Sequence, residues 1–146
     1  MSWLLIVVLG YAFKTGLANK IPVADCGSSF ATIHSIDVEP CPKTPCEFKR
    51  NSFISLTITF TPNITIDNVT AEAAGSFFNT FINYNLDDTD ACHAMKCPSK
   101  PGELVTYRTK IPVYPTWPEI TLVVRWRLRI GSTYILCFTL PVTITA

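Results

Sequence analysis

The sequence predicts an all-β fold built from two antiparallel sheets. Two long stretches near the C-terminus, Ile120–Ile130 and Thr133–Ile144, place apolar residues at every second position. A period of two over this length is typical of strands buried on one face. The chain is also rich in Thr, Ile, Val and aromatic residues, which β-structure favours. About seven such segments, separated by turn residues and without a convincing amphipathic helix, favour an immunoglobulin-like β-sandwich.

The first predicted strands lie in the N-terminal half of the chain. Phe30–Val38 has extended character, and Phe53–Phe60 alternates apolar residues with Ser and Thr. A proline follows each of them within two residues and ends the strand. An extended path continues into Val69–Ala73, where the inward parity changes near Asp67–Asn68. That change predicts a turn or bulge there.

The remaining elements fill the C-terminal half. Phe77–Leu86 is an aromatic-rich segment interleaved with asparagines, and Leu104–Ile111 is a further strand. The two long alternating strands follow, joined by a turn at Gly131–Ser132. In the last strand one shared inner face is predicted for Tyr134, Leu136, Phe138, Leu140, Val142 and Ile144.

A proline-rich segment, 112–119, leads into the first of these two strands. Its three prolines hold the chain extended or turned, and between them lie Val113, Tyr114 and Trp117. The segment is either the rim of an apolar cavity or an ordinary loop that places Trp117 on the core. Residue pattern alone leaves both interpretations open.

The N-terminus predicts a secretory signal peptide, residues 1–18, followed by one domain, 19–146. Trp3–Leu9 is an apolar run, and Gly16 and Ala18 are the small residues that precede a cleavage site. A transmembrane anchor is the alternative, but the run falls short of the ~20 residues needed and Lys14 interrupts it. We therefore expect a secreted, extracellular protein.

Six cysteines follow the signal peptide, and an even count in a secreted chain predicts three disulfides. Short loops close most easily, so the spacing favours Cys41 with Cys46 and Cys92 with Cys97. Cys26 would then pair with Cys137. A four-thiolate zinc site at the two close pairs is the alternative, although zinc sites favour a two-residue spacing.

Surface features say less about function. Asn63 and Asn68 each begin an Asn-X-Thr glycan acceptor pattern. The formal net charge of +1 argues against general nucleic-acid binding, which needs a basic surface.

Few residues suggest catalysis. His34 and His93 are the two histidines, and Asp87, Asp88 and Asp90 cluster before Cys92. Paired carboxylates can act as acid and base or bind calcium. Such a cluster in a loop is more often a solvated turn, and the sequence offers no nucleophile with a base and an orienting group. No enzymatic activity, metal or cofactor is therefore expected.

The outer face of the strand at 120–130 carries Arg125, Arg127 and Arg129, and Arg108 and Lys110 on the preceding strand are expected to extend the row. This arginine row suits anionic lipid head groups or an acidic partner. A solvated sheet face is the simpler interpretation.

Aromatic residues outside the regular inner faces are the remaining anomaly. Aromatic side chains in loops at one end of a sandwich suit an apolar binding cavity, although a filled core gives the same composition. They are Phe77, Phe78, Phe81, Tyr84, Tyr114 and Trp117.

An ordered set of motifs resembles a known family. The set is Asp25-Cys26-Gly27, Pro40-Cys41-Pro42 through Pro45-Cys46, Asp90 and Cys92 through Cys97-Pro98, Ile111-Pro112-Val113, Trp117-Pro118, Leu122-Val123-Val124-Arg125-Trp126, and Cys137-Phe138 through Leu140-Pro141-Val142. It resembles the secreted ML (lipid-recognition) family, in particular its Niemann–Pick type C soluble sterol-carrier branch, over essentially the whole chain after residue 18.

The resemblance implies two splayed sheets with a lipid-binding hydrophobic cavity between them, and the same three disulfides. It also implies that Tyr84, Val113 and Trp117 line the cavity. Tyr84 and Trp117 depart from the sterol carriers in residue type, and FINYNL at 81–86 replaces a proline-rich run. These departures favour a fatty acid or semiochemical as the ligand, in addition to a sterol. The predicted ligand-binding set is completed by Phe78, Phe81, Tyr107, Leu122, Val124 and Phe138.

The expected function is that of a secreted, monomeric carrier of a small hydrophobic ligand, a fatty acid or a sterol. A membrane or receptor contact is expected at ligand handover. The alternatives are sterol transfer in the endolysosomal lumen and a lipid-sensing co-receptor of innate immunity, which other members of the ML family represent.

Overall fold

The computed structural model describes Ile21 and residues 23–146, so the predicted signal peptide lies outside the described residues. Nine strands and one short 3-10 helix, Ala91–His93, make up the fold. No helix in this part of the chain is long and apolar enough to cross a bilayer. The strands are β1 (Ala24–Asp25), β2 (Ala31–Glu39), β3 (Cys46–Lys49), β4 (Ser52–Pro62), β5 (Thr70–Phe77), β6 (Thr80–Tyr84), β7 (Val105–Val113), β8 (Thr121–Ile130) and β9 (Thr133–Thr145).

The strands form two sheets, which confirms the predicted all-β sandwich. The larger sheet has the order β1-β9-β8-β5-β6, and the smaller one has the order β2-β4-β7. All pairs are antiparallel except β3, which pairs parallel with the end of β9. Apolar side chains at every second position of β4, β8 and β9 meet between the sheets and form the core. Ile58, Phe60, Leu128 and Phe138 there are fully buried.

Three disulfides join the chain as the cysteine spacing favoured and the resemblance implied. They are Cys26–Cys137, Cys41–Cys46 and Cys92–Cys97. The alternative zinc site is wrong, because all four of its cysteines are paired in disulfides. Cys26–Cys137 ties the end of β1 to the middle of β9.

A hairpin turn divides the aromatic-rich segment at 77–86 into the end of β5 and all of β6. Phe77 pairs with Thr80, and the two residues between them have positive φ, 49° at Phe78 and 65° at Asn79. Two successive positive φ values are the geometry of a type I′ hairpin turn. Phe78 therefore stands at the tip of the β5–β6 hairpin, with its side chain 99% exposed.

A bulge in β9 overturns the predicted inner position of Tyr134. Leu128 pairs with Leu136 but Arg129 pairs with Tyr134, so Ile135 is an extra residue in β9. Ile135 and Leu136 are both fully buried. The extra residue moves Tyr134 to the outer face, where its hydroxyl lies 3.2 Å from a carboxylate oxygen of Glu72.

The outer face of β8 carries the arginine row, but charges on other strands change its character. Glu72 on β5 accepts from Arg127 at 2.9 Å and from Arg129 at 2.6 Å. The Arg125 guanidinium stacks over Phe81 at 4.3 Å from the ring centroid. The predicted extension by Arg108 and Lys110 is wrong, because their strand β7 belongs to the other sheet. The row is therefore partly neutralised within its own sheet.

Glu72→Gln is expected to lower the free energy of unfolding by about 1–2 kcal/mol at neutral pH. Burial alone would raise the pKa of Glu72, but hydrogen bonds from Arg129 and Tyr134 and the charge of Arg127 outweigh it and hold the pKa below its usual value. Because the pKa is lower in the folded state, the ionised carboxylate stabilises the fold at pH values above the pKa of the unfolded chain. This contribution is lost as the pH falls through the pKa of the folded state. Urea unfolding at neutral and at acidic pH measures the free energy of unfolding with the Glu72 carboxyl group ionised and protonated.

The matched control is Glu47→Gln, because the Glu47 carboxylate contacts only exposed Lys43, at 3.7 Å. It should change stability by less than about 0.5 kcal/mol. A loss at Glu72→Gln that is equally large at acidic pH would contradict the role of the ionised carboxylate.

Candidate ligand cavity

An apolar cavity of about 230 Å³ lies between the two sheets. Its volume is slightly below the range of roughly 300–1,000 Å³ found for small-molecule pockets. None of its lining residues is charged, and among them polar side-chain atoms belong to Asn83, Tyr84, Trp117 and Trp126. The cavity therefore suits the hydrocarbon part of a ligand.

Alternation in three strands supplies a large part of the wall. β4 contributes Ile54 and Leu56 from the smaller sheet, and β8 contributes Leu122 and Val124 from the larger one. Phe138 on β9 lies beside them. Each of these side chains points between the sheets because residues two apart share a face.

Small residues on β5 explain why the space is not filled. Ala73, Ala74 and Gly75 all line the cavity. A Cβ atom at Gly75 would lie only 2.7 Å from the Cδ1 atom of Leu122. Three consecutive small residues in a strand are the sign of this cavity in the sequence. The prediction of a cavity from large aromatic side chains did not include them.

The cavity reaches the surface between the β5–β6 hairpin and the proline-rich segment. Its lining residues Ile82, Asn83 and Pro118 are exposed, which marks the open side. Trp117 packs edge-on against Tyr84, with ring centroids 5.1 Å apart and an interplanar angle of 89°. Its other side packs against Tyr114, at 5.9 Å. These three rings form the aromatic rim of the opening.

Polar contacts hold the proline-rich segment in place. The Arg50 guanidinium donates to the carbonyl oxygen of Trp117 at 3.2 Å and to a carboxylate oxygen of Glu119 at 3.2 Å. The Tyr114 hydroxyl lies 3.2 Å from a carboxylate oxygen of Asp87. Trp117 is thus positioned from both ends of the segment.

A second, smaller cavity of about 80 Å³ adjoins the first. Tyr84, Ile111 and Trp126 line both cavities, so they form the partition. The smaller chamber is more polar, and Asp87 and Asp88 border it.

Burial, followed by the nearby Tyr114 and Asp87, raises the pKa of Tyr84 to about 12. The phenol at the partition is therefore protonated at neutral pH. It can donate one hydrogen bond and accept another.

Five of the nine predicted ligand-binding residues lie on the cavity wall. They are Tyr84, Trp117, Leu122, Val124 and Phe138. Their arrangement matches the positions that the family resemblance and strand alternation predicted. Ligand binding by them stays a prediction.

The other four residues lie elsewhere, each for a stated reason. Phe78 stands exposed at the hairpin tip, and Phe81 lies under Arg125 on the outer face. Val113 is buried at the end of β7, two residues beyond the lining residue Ile111. Tyr107 is buried below the partition and lines the smaller chamber.

The candidate catalytic residues do not line the main cavity, although Asp87 and Asp88 border the smaller one. His93 contacts Asp88 through Nδ1 at 2.8 Å and Asp90 through Nε2 at 3.3 Å, in an exposed surface cluster. The Nε2 atom of His34 lies 2.7 Å from the Thr61 hydroxyl, also on the surface. Asn63 and Asn68 are exposed, as glycan acceptors must be.

Comparison with known proteins gives a consistent set of relatives. The ML domain family model matches residues 20–144. The chain is 32% identical to "NPC intracellular cholesterol transporter 2" of Sus scrofa, covering 89% of each chain. It is 31% identical to the "Ecdysteroid-regulated 16 kDa protein" of Manduca sexta, covering 82% of this chain and 86% of that one. A crystal structure of a Niemann-Pick type C2 protein from the Japanese carpenter ant superposes with a TM-score of 0.80 at 26% identity, covering 86% of this chain and all of that one.

Proposed function

Because the chain belongs to the ML domain family, we propose that it is a secreted carrier, not an enzyme, that binds one small hydrophobic ligand between its sheets and delivers it. The observation that carries this proposal is the uncharged cavity that opens between the β5–β6 hairpin and the proline-rich segment. The cholesterol transporter named among the relatives supports a sterol or another lipid as the ligand. Release in the endolysosomal lumen is the alternative destination.

Burial supplies the driving force for binding. Removing about 400–500 Å² of apolar ligand surface from water is worth roughly 10–12 kcal/mol. Association costs of order 4–15 kcal/mol offset much of this gain. With association costs at the low end, the surplus of about 8 kcal/mol corresponds to micromolar affinity, which suits a carrier that must also release its ligand.

Native mass spectrometry of the secreted protein tests the proposal directly. We expect a monomer that carries one bound mass, which organic extraction removes and identifies as a lipid. Recovery of no lipid, together with no binding of the uncharged fluorescent probe N-phenyl-1-naphthylamine, would overturn the carrier function.

Trp117→Ala is expected to weaken binding of this probe about tenfold or more, because it removes an aromatic wall at the opening. Trp117 is only partly buried, so stability should fall by about 1 kcal/mol, less than for a core tryptophan. Fluorescence titration and urea unfolding of the same preparation measure the two effects.

The matched control is Phe53→Ala, since this aromatic side chain is 64% exposed and does not line the cavity. It should leave probe affinity unchanged. If Trp117→Ala destabilises the fold but the folded fraction binds normally, Trp117 is a core residue and not part of the binding wall.

A further inference from the structure

We infer that the cavity selects lipids with an uncharged head group, such as an alcohol, a carbonyl or an ester, and discriminates against carboxylates. The inference rests on the proposed carrier function and narrows its ligand class. It differs from the expectation drawn from sequence, in which the departures at Tyr84, Trp117 and 81–86 favoured a fatty acid or semiochemical as well as a sterol.

In the part of the chain that the structure describes, the wall of the main cavity carries no charged side chain. No Lys or Arg lines the main cavity among the described residues, so an anionic head group would find no partner there. A buried carboxylate without a cation carries a desolvation penalty far larger than that of a hydroxyl or carbonyl. A neutral head group avoids this penalty.

The sign of the charges beside the partition also disfavours a carboxylate ligand. Asp87 and Asp88 border the smaller chamber, and a hydrogen bond from His93 lowers the pKa of Asp88, so it is ionised at neutral pH. A carboxylate ligand at the partition would meet two carboxylates of like charge.

The cations near these groups are already engaged or point away. Lys110 borders the smaller chamber, but its side chain is exposed and lies between the inward positions Thr109 and Ile111. Arg50, behind the proline-rich segment, is paired with Glu119 at 3.2 Å. Asp88 is also exposed and pairs with His93 at 2.8 Å, so Asp87 carries the charge without a cation partner beside the chamber in the described part of the chain.

Tyr84 experiences the charge of Asp87 as well. Burial, followed by Tyr114 and Asp87, raises its pKa, which means that its surroundings disfavour a negative charge on the phenol. A ligand carboxylate held beside this hydroxyl would experience the same penalty. The raised pKa of Tyr84 is therefore consistent with the geometry of the chamber.

Hydrogen-bond donors for a neutral oxygen are present at the partition. The Nε1 atom of Trp126 is buried and has no hydrogen-bond partner in the described part of the chain. The protonated Tyr84 hydroxyl lies on the same partition. An alcohol or carbonyl oxygen there could accept from either donor, and an alcohol could also donate to the Tyr84 oxygen.

Displacement of N-phenyl-1-naphthylamine by three ligands of equal chain length tests the inference. Dodecanol and methyl dodecanoate should displace the probe at about tenfold lower concentration than dodecanoate at neutral pH. The difference should shrink at a pH near 4, where about half of an ordinary carboxyl group is protonated. Equal displacement by dodecanoate at neutral pH would overturn the inference. Failure of the probe and of all three ligands to bind would instead overturn the carrier function.

Asp87→Gln tests the charge directly, because it removes the carboxylate and keeps an acceptor for Tyr114. Glutamine is preferable to asparagine, which would create an Asn-Asp-Thr glycan acceptor. We expect the preference for dodecanol over dodecanoate to shrink several-fold, with probe binding confirming the fold. The matched control, Asp67→Gln, removes the same charge from an exposed turn that does not line either cavity. The same change in both variants, or none in Asp87→Gln, would contradict a local role for Asp87.

Discussion

Removing the Cys26–Cys137 disulfide is expected to lower the free energy of unfolding by about 4.8 kcal/mol. The two cysteines are 111 residues apart, so the bond restricts nearly the whole unfolded chain. Globular domains are stable by only about 5–15 kcal/mol. The loss therefore leaves a domain that is partly unfolded at body temperature or close to it.

The double variant Cys26→Ser/Cys137→Ala measures this effect by urea unfolding. The matched comparison is Cys41→Ser/Cys46→Ala, whose bond spans a separation of 5 residues. The same chain-entropy relation gives about 2.2 kcal/mol for that short loop. If the two double variants lose the same stability, restriction of the unfolded chain is not what the long disulfide contributes.

The strands were predictable where burial leaves a period of two in the sequence. Phe53–Phe60 became the centre of β4, and Ile120–Ile130 became β8, which begins one residue later at Thr121. β3 was missed because four residues are too few for a period to show. Its parallel partner, the end of β9, is also far away in sequence.

The bulge at Ile135 could not be read from alternation. Ile135 and Leu136 are both apolar, so the sequence gives no sign of which one is the extra residue. Only the pairing of Arg129 with Tyr134 fixes it. The outer position of Tyr134 is therefore a consequence of tertiary pairing.

The position of the cavity was predictable from the sequence, but the reason why the space is empty was not. The family resemblance placed Tyr84 and Trp117 at its wall, and the structure has both there. Phe78 and Phe81 belong to the same aromatic-rich segment, yet hairpin geometry turns both away from it. A cavity is the difference between the space separating two sheets and the volume of the side chains that enter it. Its existence therefore depends on which strand positions face each other, and here it depends on small residues such as Gly75.

Gly75→Val is expected to weaken binding of N-phenyl-1-naphthylamine by about 10- to 100-fold while the fold keeps or gains stability. The new side chain points into the cavity, and its Cβ would lie 2.7 Å from the Cδ1 atom of Leu122, so Leu122 must rotate. A bound ligand and the added methyl groups would compete for the same space, and overpacking of this kind costs about 1–3 kcal/mol. Without ligand, the rotated Leu122 and the added methyl groups occupy empty cavity space, and valine favours a strand more than glycine does.

Weaker probe binding together with unchanged or higher stability would distinguish Gly75→Val from a variant that only damages the fold. Probe titration and urea unfolding provide the two measurements, and Thr70→Val places the same side chain on the outer face of β5 as a control. The control should bind the probe normally. If Gly75→Val binds the probe as tightly as the wild type, the space between Gly75 and Leu122 is not where the ligand lies. If its stability falls by several kcal/mol, the space around Gly75 is packed core, and the cavity must be sought at the opening beside Trp117.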